Sequence, residues 1–137
     1  MPFDPGRMRH DSGLDERTEA VARDVIGAAI EVHSELGPGF PESVYESALC
    51  IELAERRIPF VRQHVIRVTY RGHDIGEGRV DLIVDDRVIV ENKAVEALTP
   101  VHEAQVHAYL KATEIRLGLL INFNVKRLKA GLRRIIH

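Results

Sequence analysis

The sequence predicts an α/β or α+β sandwich in which helices flank a central mixed β-sheet. Two helical patterns precede a group of alternating, β-branched segments, and a third helical pattern is followed by a near-continuous apolar run. The predicted order is therefore α-α-β-β-β-α-β, with a further short strand or helix in residues 132–137. At 137 residues, the chain is long enough for a single domain with its own core.

Composition and charge narrow the class of protein. The chain is 45% apolar and 29% charged, as globular proteins are. No run approaches the roughly 18 apolar residues of a membrane helix, and no signal peptide is evident, so we expect a cytoplasmic protein without a membrane partner. A formal net charge of −2 argues against bulk attraction to nucleic acid, so a polyanion would need a local basic patch. Cys50 lies in an apolar helical pattern and is predicted to be a buried thiol.

The N-terminal half is predicted to contain a loose arm and two helices. Residues 1–13 are rich in proline and glycine and form the arm, and residues 14–137 form the single domain. The first helix runs from Leu14 to about Leu36, where a Gly-Pro-Gly sequence stops it. Pro41 suits the first turn of the second helix, which ends near residue 58.

The remaining elements are three strands, a helix and a final buried strand. Residues 60–70 alternate and are followed by an Arg71-Gly72 turn, which predicts a strand ending at Tyr70. A hairpin comes next. Thr99 is a plausible N-cap, with Pro100 at the first position of a third helix. Residues 115–123 are apolar enough for a strand that is buried on both faces.

The hairpin "RVDLIVDDRVIVENKA", residues 79–94, carries the candidate chemistry. Side-chain alternation predicts that Val80 shares a core face with Leu82 and Val84. A three-residue loop, 85–87, would set Asp81 beside Glu91. A two-residue turn would instead pair Asp81 with a valine and separate the carboxylates.

Neighbouring carboxylates repel each other, and each has a raised pKa unless a cation lies between them. Mg²⁺ commonly uses one or two carboxylates together with a substrate phosphate. Lys93 is on the face of Glu91 and could orient a water molecule or neutralise the phosphate. On pattern alone, a solvated sheet face is the alternative explanation.

Two helices add polar candidates. Glu42 opens the second helix, with Tyr45 and Glu46 one turn on, although an acid there also stabilises a helix N-terminus. The third helix places His102, Gln105 and Tyr109 on one polar stripe. Its apolar side is expected to pack on the sheet and comprises Val101, Ala104 and Ala108.

Together, these motifs resemble the PD-(D/E)XK nuclease superfamily. The matching residues, in chain order, are Glu42, Asp81, Glu91-Asn92-Lys93, Gln105 and Tyr109. The Gln-x-x-x-Tyr pair is similar to the RecB-type exonuclease branch, and residues 39–45 read as the signature of the small bacterial GxxExxY protein family. The resemblance spans about residues 21–123 and departs from the superfamily pattern where Arg79-Val80 precedes the aspartate without a proline.

The resemblance implies a restriction-endonuclease-like core and a metal-dependent nuclease that hydrolyses nucleic acid, with DNA favoured. Asp81, Glu91 and the backbone carbonyl of Asn92 would bind Mg²⁺ or Mn²⁺, and Lys93 would be the catalytic lysine. The remaining candidates would complete the acidic cluster, steady the site or a phosphate, or add a metal ligand, and are Glu42, Gln105, Tyr109 and His33.

The C-terminal end supplies a candidate nucleic-acid-binding patch. Its cations are Lys126, Arg127, Lys129, Arg133 and Arg134. A solvated basic tail explains them equally well. A homodimer would widen the binding cleft. Two alternatives to a nuclease stay open: a non-catalytic nucleic-acid- or protein-binding module on the same fold, and a structural domain whose hairpin acids lie on different faces.

Overall fold

A computed structural model describes residues 12–137, which form three α-helices and one five-stranded sheet. The helices are α1 (Glu16–Leu36), α2 (Glu42–Glu55) and α3 (Pro100–Thr113). The strands are β1 (Phe60–Tyr70), β2 (His73–Val84), β3 (Val88–Lys93), β4 (Leu117–Asn122) and β5 (Leu132–Ile136). The predicted order is confirmed, and a 3-10 turn at Leu128–Gly131 precedes the additional strand. The predicted arm falls outside the described residues except for Ser12 and Gly13.

The sheet is mixed and has the strand order β1-β2-β3-β4-β5. Neighbouring strands are antiparallel except β3 and β4, which are parallel and are connected through α3. The larger core lies between one sheet face and helices α1 and α2, and the smaller core lies between the other face and α3. Strands β3 and β4 are consequently buried on both faces, as the apolar run predicted for β4. Within residues 12–137, no helix is long and apolar enough to cross a membrane.

Local capping explains where two of the helices begin. The Asp15 carboxylate accepts a hydrogen bond of 2.7 Å from the Thr18 N–H at the start of α1. At the start of α3, the Thr99 hydroxyl accepts from the His102 N–H, while His102 Nδ1 accepts from the Thr99 N–H. The predicted N-cap is confirmed, and His102 serves in a capping box.

The predicted orientation of α3 is wrong. Val101 is 75% exposed, and the helix turns Val106 and Leu110 towards the sheet instead. Gly118 on β4 makes this close approach possible, because a Cβ at that position would lie 2.5 Å from Val106 Cγ1. The polar stripe that includes Gln105 and Tyr109 is thereby brought against the sheet and is half-buried.

Gly118→Ala is expected to lower the free energy of unfolding by about 1–3 kcal/mol, because the added methyl group overpacks the contact with α3. Urea unfolding measures the change. Val106→Ala in the same chain should restore room, so the double variant should be less destabilised than the sum of the single variants. Simple additivity would contradict the proposed contact.

Candidate active site

The turn between β2 and β3 has three residues, 85–87. Val84 pairs with Val88 and Leu82 pairs with Val90, while Asp85 and Asp86 adopt positive φ angles of 51° and 55°. With an odd number of loop residues, the register places Asp81 opposite Glu91.

Where β2 and β3 stop pairing, hydrogen bonds between the two acidic side chains and the backbone replace the regular backbone ladder. The Asp81 N–H donates to Glu91 Oε1 at 2.9 Å, and the Asn92 N–H donates to Asp81 Oδ2, also at 2.9 Å. Each carboxylate is thus held by the backbone of the neighbouring strand. Glu91 is only 2% exposed, so solvation by water does not compensate its charge.

Burial and the charges of neighbouring carboxylates raise the pKa values of both acids. Burial is the main cause for Glu91, whose pKa rises to about 8, and the charge of Asp81 adds to it. Burial likewise raises the pKa of Asp81 to about 6, with added repulsion from Glu46 and Glu42. Lys93 opposes both shifts. Near neutral pH, the two carboxylates therefore cannot both be fully ionised unless a cation binds between them.

The predicted alternation along β2 is wrong at Asp81. Leu82 and Val84 pack in the core beside α1 and α2, but Val80 packs with Ile66 in the core beside α3. Val80 and Leu82 therefore face opposite sides of the sheet, and Gln63 of β1, between the partners of these two residues, has a φ of 53°.

Tyr45 shapes the loop before Glu42. Its hydroxyl donates to the Gly37 carbonyl at 2.6 Å and accepts from the Phe40 N–H at 3.1 Å. The ring stacks on Phe123 with centroids 4.7 Å apart and planes 9° from parallel. These contacts fix the loop that leads into α2, where Glu42 is half-buried and close enough to raise the pKa of both acids.

Glu46, which the sequence marked only as an acid one turn after Glu42, is a further residue of the site. It is 7% exposed and accepts hydrogen bonds from Arg62 Nε at 2.7 Å and Gln63 Nε2 at 2.9 Å. The same Gln63 nitrogen lies 3.4 Å from Asp81 Oδ1 and so links the two acids. The four-residue step from Glu42 to Glu46 is a sequence signal for a shared helix face, whereas Gln63 has no such signal.

Gln105 and Tyr109 reach the site from α3. Gln105 Nε2 donates to the Tyr109 hydroxyl at 3.3 Å, and burial followed by the charge of Glu91 raises the pKa of Tyr109. The Tyr109 ring lies against Gly78, where a Cβ would come within 2.9 Å of it. Gln105 Oε1 is buried and has no hydrogen-bond partner among residues 12–137. The pair therefore borders Glu91 and has an acceptor left for a ligand.

His33 and Lys93 differ in how they are engaged. His33 is buried, and its Nε2 donates to the Val125 carbonyl at 2.7 Å, which leaves only Nδ1 for a ligand. Lys93 is half-buried and forms no ion pair within the part of the chain that is described. Its ammonium group keeps its three donors for another partner.

The predicted basic patch is divided by the structure. Lys126, Arg127 and Lys129 are exposed after β4, at the sheet end where the parallel strand β3 reaches Lys93. Arg133 is exposed on β5, but Arg134 makes a two-pronged ion pair of 2.7 and 3.0 Å with buried Glu19. Arg134 therefore ties β5 to α1 and does not join the other four cations.

A family model described as the PD-(D/E)XK nuclease superfamily matches residues 19–135. The chain belongs to the PD-(D/E)XK nuclease superfamily. No curated protein and no solved structure matches it significantly. The mixed sheet with helices on both faces fits the restriction-endonuclease-like core of this superfamily.

Two buried asparagines on neighbouring strands offer a matched test of this region. Asn92 is 0% exposed, and neither polar atom of its amide has a partner among the described residues. Asn122 is 2% exposed, and its amide bonds the backbone of Val95 and Asn124. We expect Asn92→Leu to raise the free energy of unfolding by about 1–3 kcal/mol, and Asn122→Leu to lower it by a similar amount. Denaturant unfolding measures both changes. Equal destabilisation by the two substitutions would show that the Asn92 amide is hydrogen-bonded in solution.

Proposed function

We propose that this chain is a metal-dependent nuclease that hydrolyses phosphodiester bonds in nucleic acid, with DNA favoured as the substrate. The observation that carries the proposal is the Asp81–Glu91 pair, in which Glu91 is buried, Asp81 is half-buried and the backbone of each strand holds the acid of the other. Membership of the nuclease superfamily supports the same assignment.

The donor set fits Mg²⁺ or Mn²⁺. Asp81 and Glu91 are hard oxygen ligands whose mutual repulsion a divalent cation would relieve. The backbone carbonyl of Asn92 is the third proposed ligand. The N–H and C=O groups of a strand residue point to the same neighbouring strand, and the Asn92 N–H points to Asp81. Within residues 12–137, no three His, Cys, Asp or Glu side chains are grouped to enclose an ion. An ion bound by Asp81 and Glu91 would therefore depend on water and substrate phosphate for further ligands, as Mg²⁺ commonly does.

A bound ion would polarise the phosphate and stabilise the negative charge that develops on its oxygens. The protein's own groups have separate roles. Lys93 orients an attacking water or neutralises the phosphate. Glu42 adds negative charge to the pocket, Gln105 and Tyr109 position the phosphate, and His33 would contribute to metal binding only through Nδ1.

The assay is incubation of the purified protein with single- and double-stranded DNA and RNA, in Mg²⁺, in Mn²⁺ and in EDTA. We expect cleavage with either metal and none in EDTA. Binding of metal and nucleic acid without cleavage would instead support the non-catalytic module.

A further inference from the structure

Strands β1 and β2 continue well beyond their partner β3. Strand β3 pairs with β2 only from Leu82 to Val84, whereas β1 and β2 stay paired out to Tyr70 and His73. We call residues 65–79 the hairpin arm. It closes with Arg71 and Gly72, whose φ angles of 50° and 81° form a tight turn. The arm therefore projects from the sheet directly beyond Asp81.

One face of the hairpin arm continues the wall of the candidate active site. Ile66 packs in the core beside α3, and its partner Gly78 lies against Tyr109. Side-chain alternation places Val68 on the face of Ile66, and β1 continues to Tyr70 after a register shift between Val68 and Thr69. Opposite Val68 is Gly76, where a Cβ would meet nothing within 4 Å. Tyr109 covers the face at Gly78, whereas the face at Gly76, between Tyr109 and the tip, is open.

The tip presents an aromatic ring and a guanidinium group. Tyr70 is 58% exposed, and the Arg71 guanidinium lies 5.2 Å from the centre of its ring. Arg67 is paired with Asp74, but Arg71 makes no ion pair within the described chain. An exposed aromatic ring with a neighbouring arginine can stack a base and attract a phosphate.

We propose that the hairpin arm binds a single-stranded segment of nucleic acid, with a base on Tyr70 and a phosphate near Arg71. From the tip, the strand would lie over the open face at Gly76 and reach Tyr109, which borders the site of Asp81 and Glu91. This inference rests on the proposed function, because it identifies the substrate that the site receives. A single strand fits better than a duplex, whose bases are already stacked on one another and cannot cover an exposed ring.

Fluorescence anisotropy in EDTA tests binding without cleavage, using a labelled single strand of roughly 12 nucleotides and the matching duplex. Tyr70→Ala is expected to raise Kd for the single strand by roughly 5- to 150-fold, whereas Tyr70→Phe keeps most of the affinity. Arg71→Ala should reduce the slope of log affinity against log salt by about 0.7. Ile51→Ala is the matched control, because Ile51 is 61% exposed on α2, and its Kd should equal that of the wild type.

Several results would overturn the inference. These are no binding of the single strand by the wild type, unchanged binding by Tyr70→Ala, and an equal loss for the duplex. A wild-type dimer that Tyr70→Ala dissociates in sedimentation would assign the arm to a second copy of the chain. Tyr70-dependent binding without metal-dependent cleavage would support nucleic-acid binding by the hairpin arm and would contradict the proposed nuclease activity. Metal-dependent cleavage that is unaffected by Tyr70→Ala would support the nuclease activity and would contradict the role of the hairpin arm.

Discussion

Asp81→Asn and Glu91→Gln are each expected to reduce the rate of nucleic-acid cleavage by roughly 10³-fold or more. Both changes preserve the shape of the side chain and remove its negative charge, so metal binding should be lost while the fold persists. Lys93→Met should lower the rate by roughly 10²- to 10³-fold, because it removes the ammonium group that is proposed to orient the attacking water or to neutralise the phosphate.

Single-turnover cleavage at saturating protein measures these rates, and metal titration separates the roles. Lys93→Met should still bind the metal, whereas the two acid variants should not. Glu96→Gln provides the control, since Glu96 is exposed in the loop after β3 and should cleave as the wild type does. Wild-type rates in all three site variants would reject the assignment, and loss of folding would be detected by circular dichroism.

Glu91→Gln is also expected to change how stability depends on pH when divalent cations are absent. The pKa of Glu91 is raised from its ordinary 4.5 to about 8, so the folded protein binds more protons than the unfolded chain between these values. The wild-type free energy of unfolding, relative to that of Glu91→Gln, should therefore fall as pH rises from about 4.5 to 8. The fall should be on the order of 4 kcal/mol, because each unit of pKa corresponds to about 1.4 kcal/mol.

Urea unfolding of both proteins in EDTA at pH 5, 6, 7 and 8 measures this difference. Mg²⁺ should restore the wild type at pH 8 more than at pH 6, because the carboxylates must lose their protons to bind a metal. Glu91→Gln should not respond to Mg²⁺. A difference in stability that does not vary with pH would show that Glu91 is solvated and the pocket open.

The sequence predicted the elements and the candidate acids because their signals are local. The Thr99-Pro100 start of α3, the Arg71-Gly72 turn and the apolar run of β4 each depend on residues that are close in the chain. The resemblance to the nuclease superfamily, which the family model confirms, likewise rested on motifs in chain order.

Other parts of the site depended on contacts between distant residues. The side of α3 that faces the sheet was mispredicted, because the bare backbone of Gly118 admits Val106 from a different element. Arg134 was assigned to the basic patch, yet its partner Glu19 lies 115 residues away. Glu46 joined the acids through Gln63, whose left-handed conformation no pattern of apolar residues indicated.

By itself, the sequence determined the order of the elements and the burial of β4, and it supplied the two candidate acids with their lysine. It left open whether Asp81 faces Glu91, since loops of two and three residues were both compatible with the hairpin. Only the tertiary structure decided this, through the pairing of Val84 with Val88 and the exchange of hydrogen bonds between the two strands. The physical reason is that strand register depends on cross-strand packing, and a shift of one residue moves every side chain to the other face.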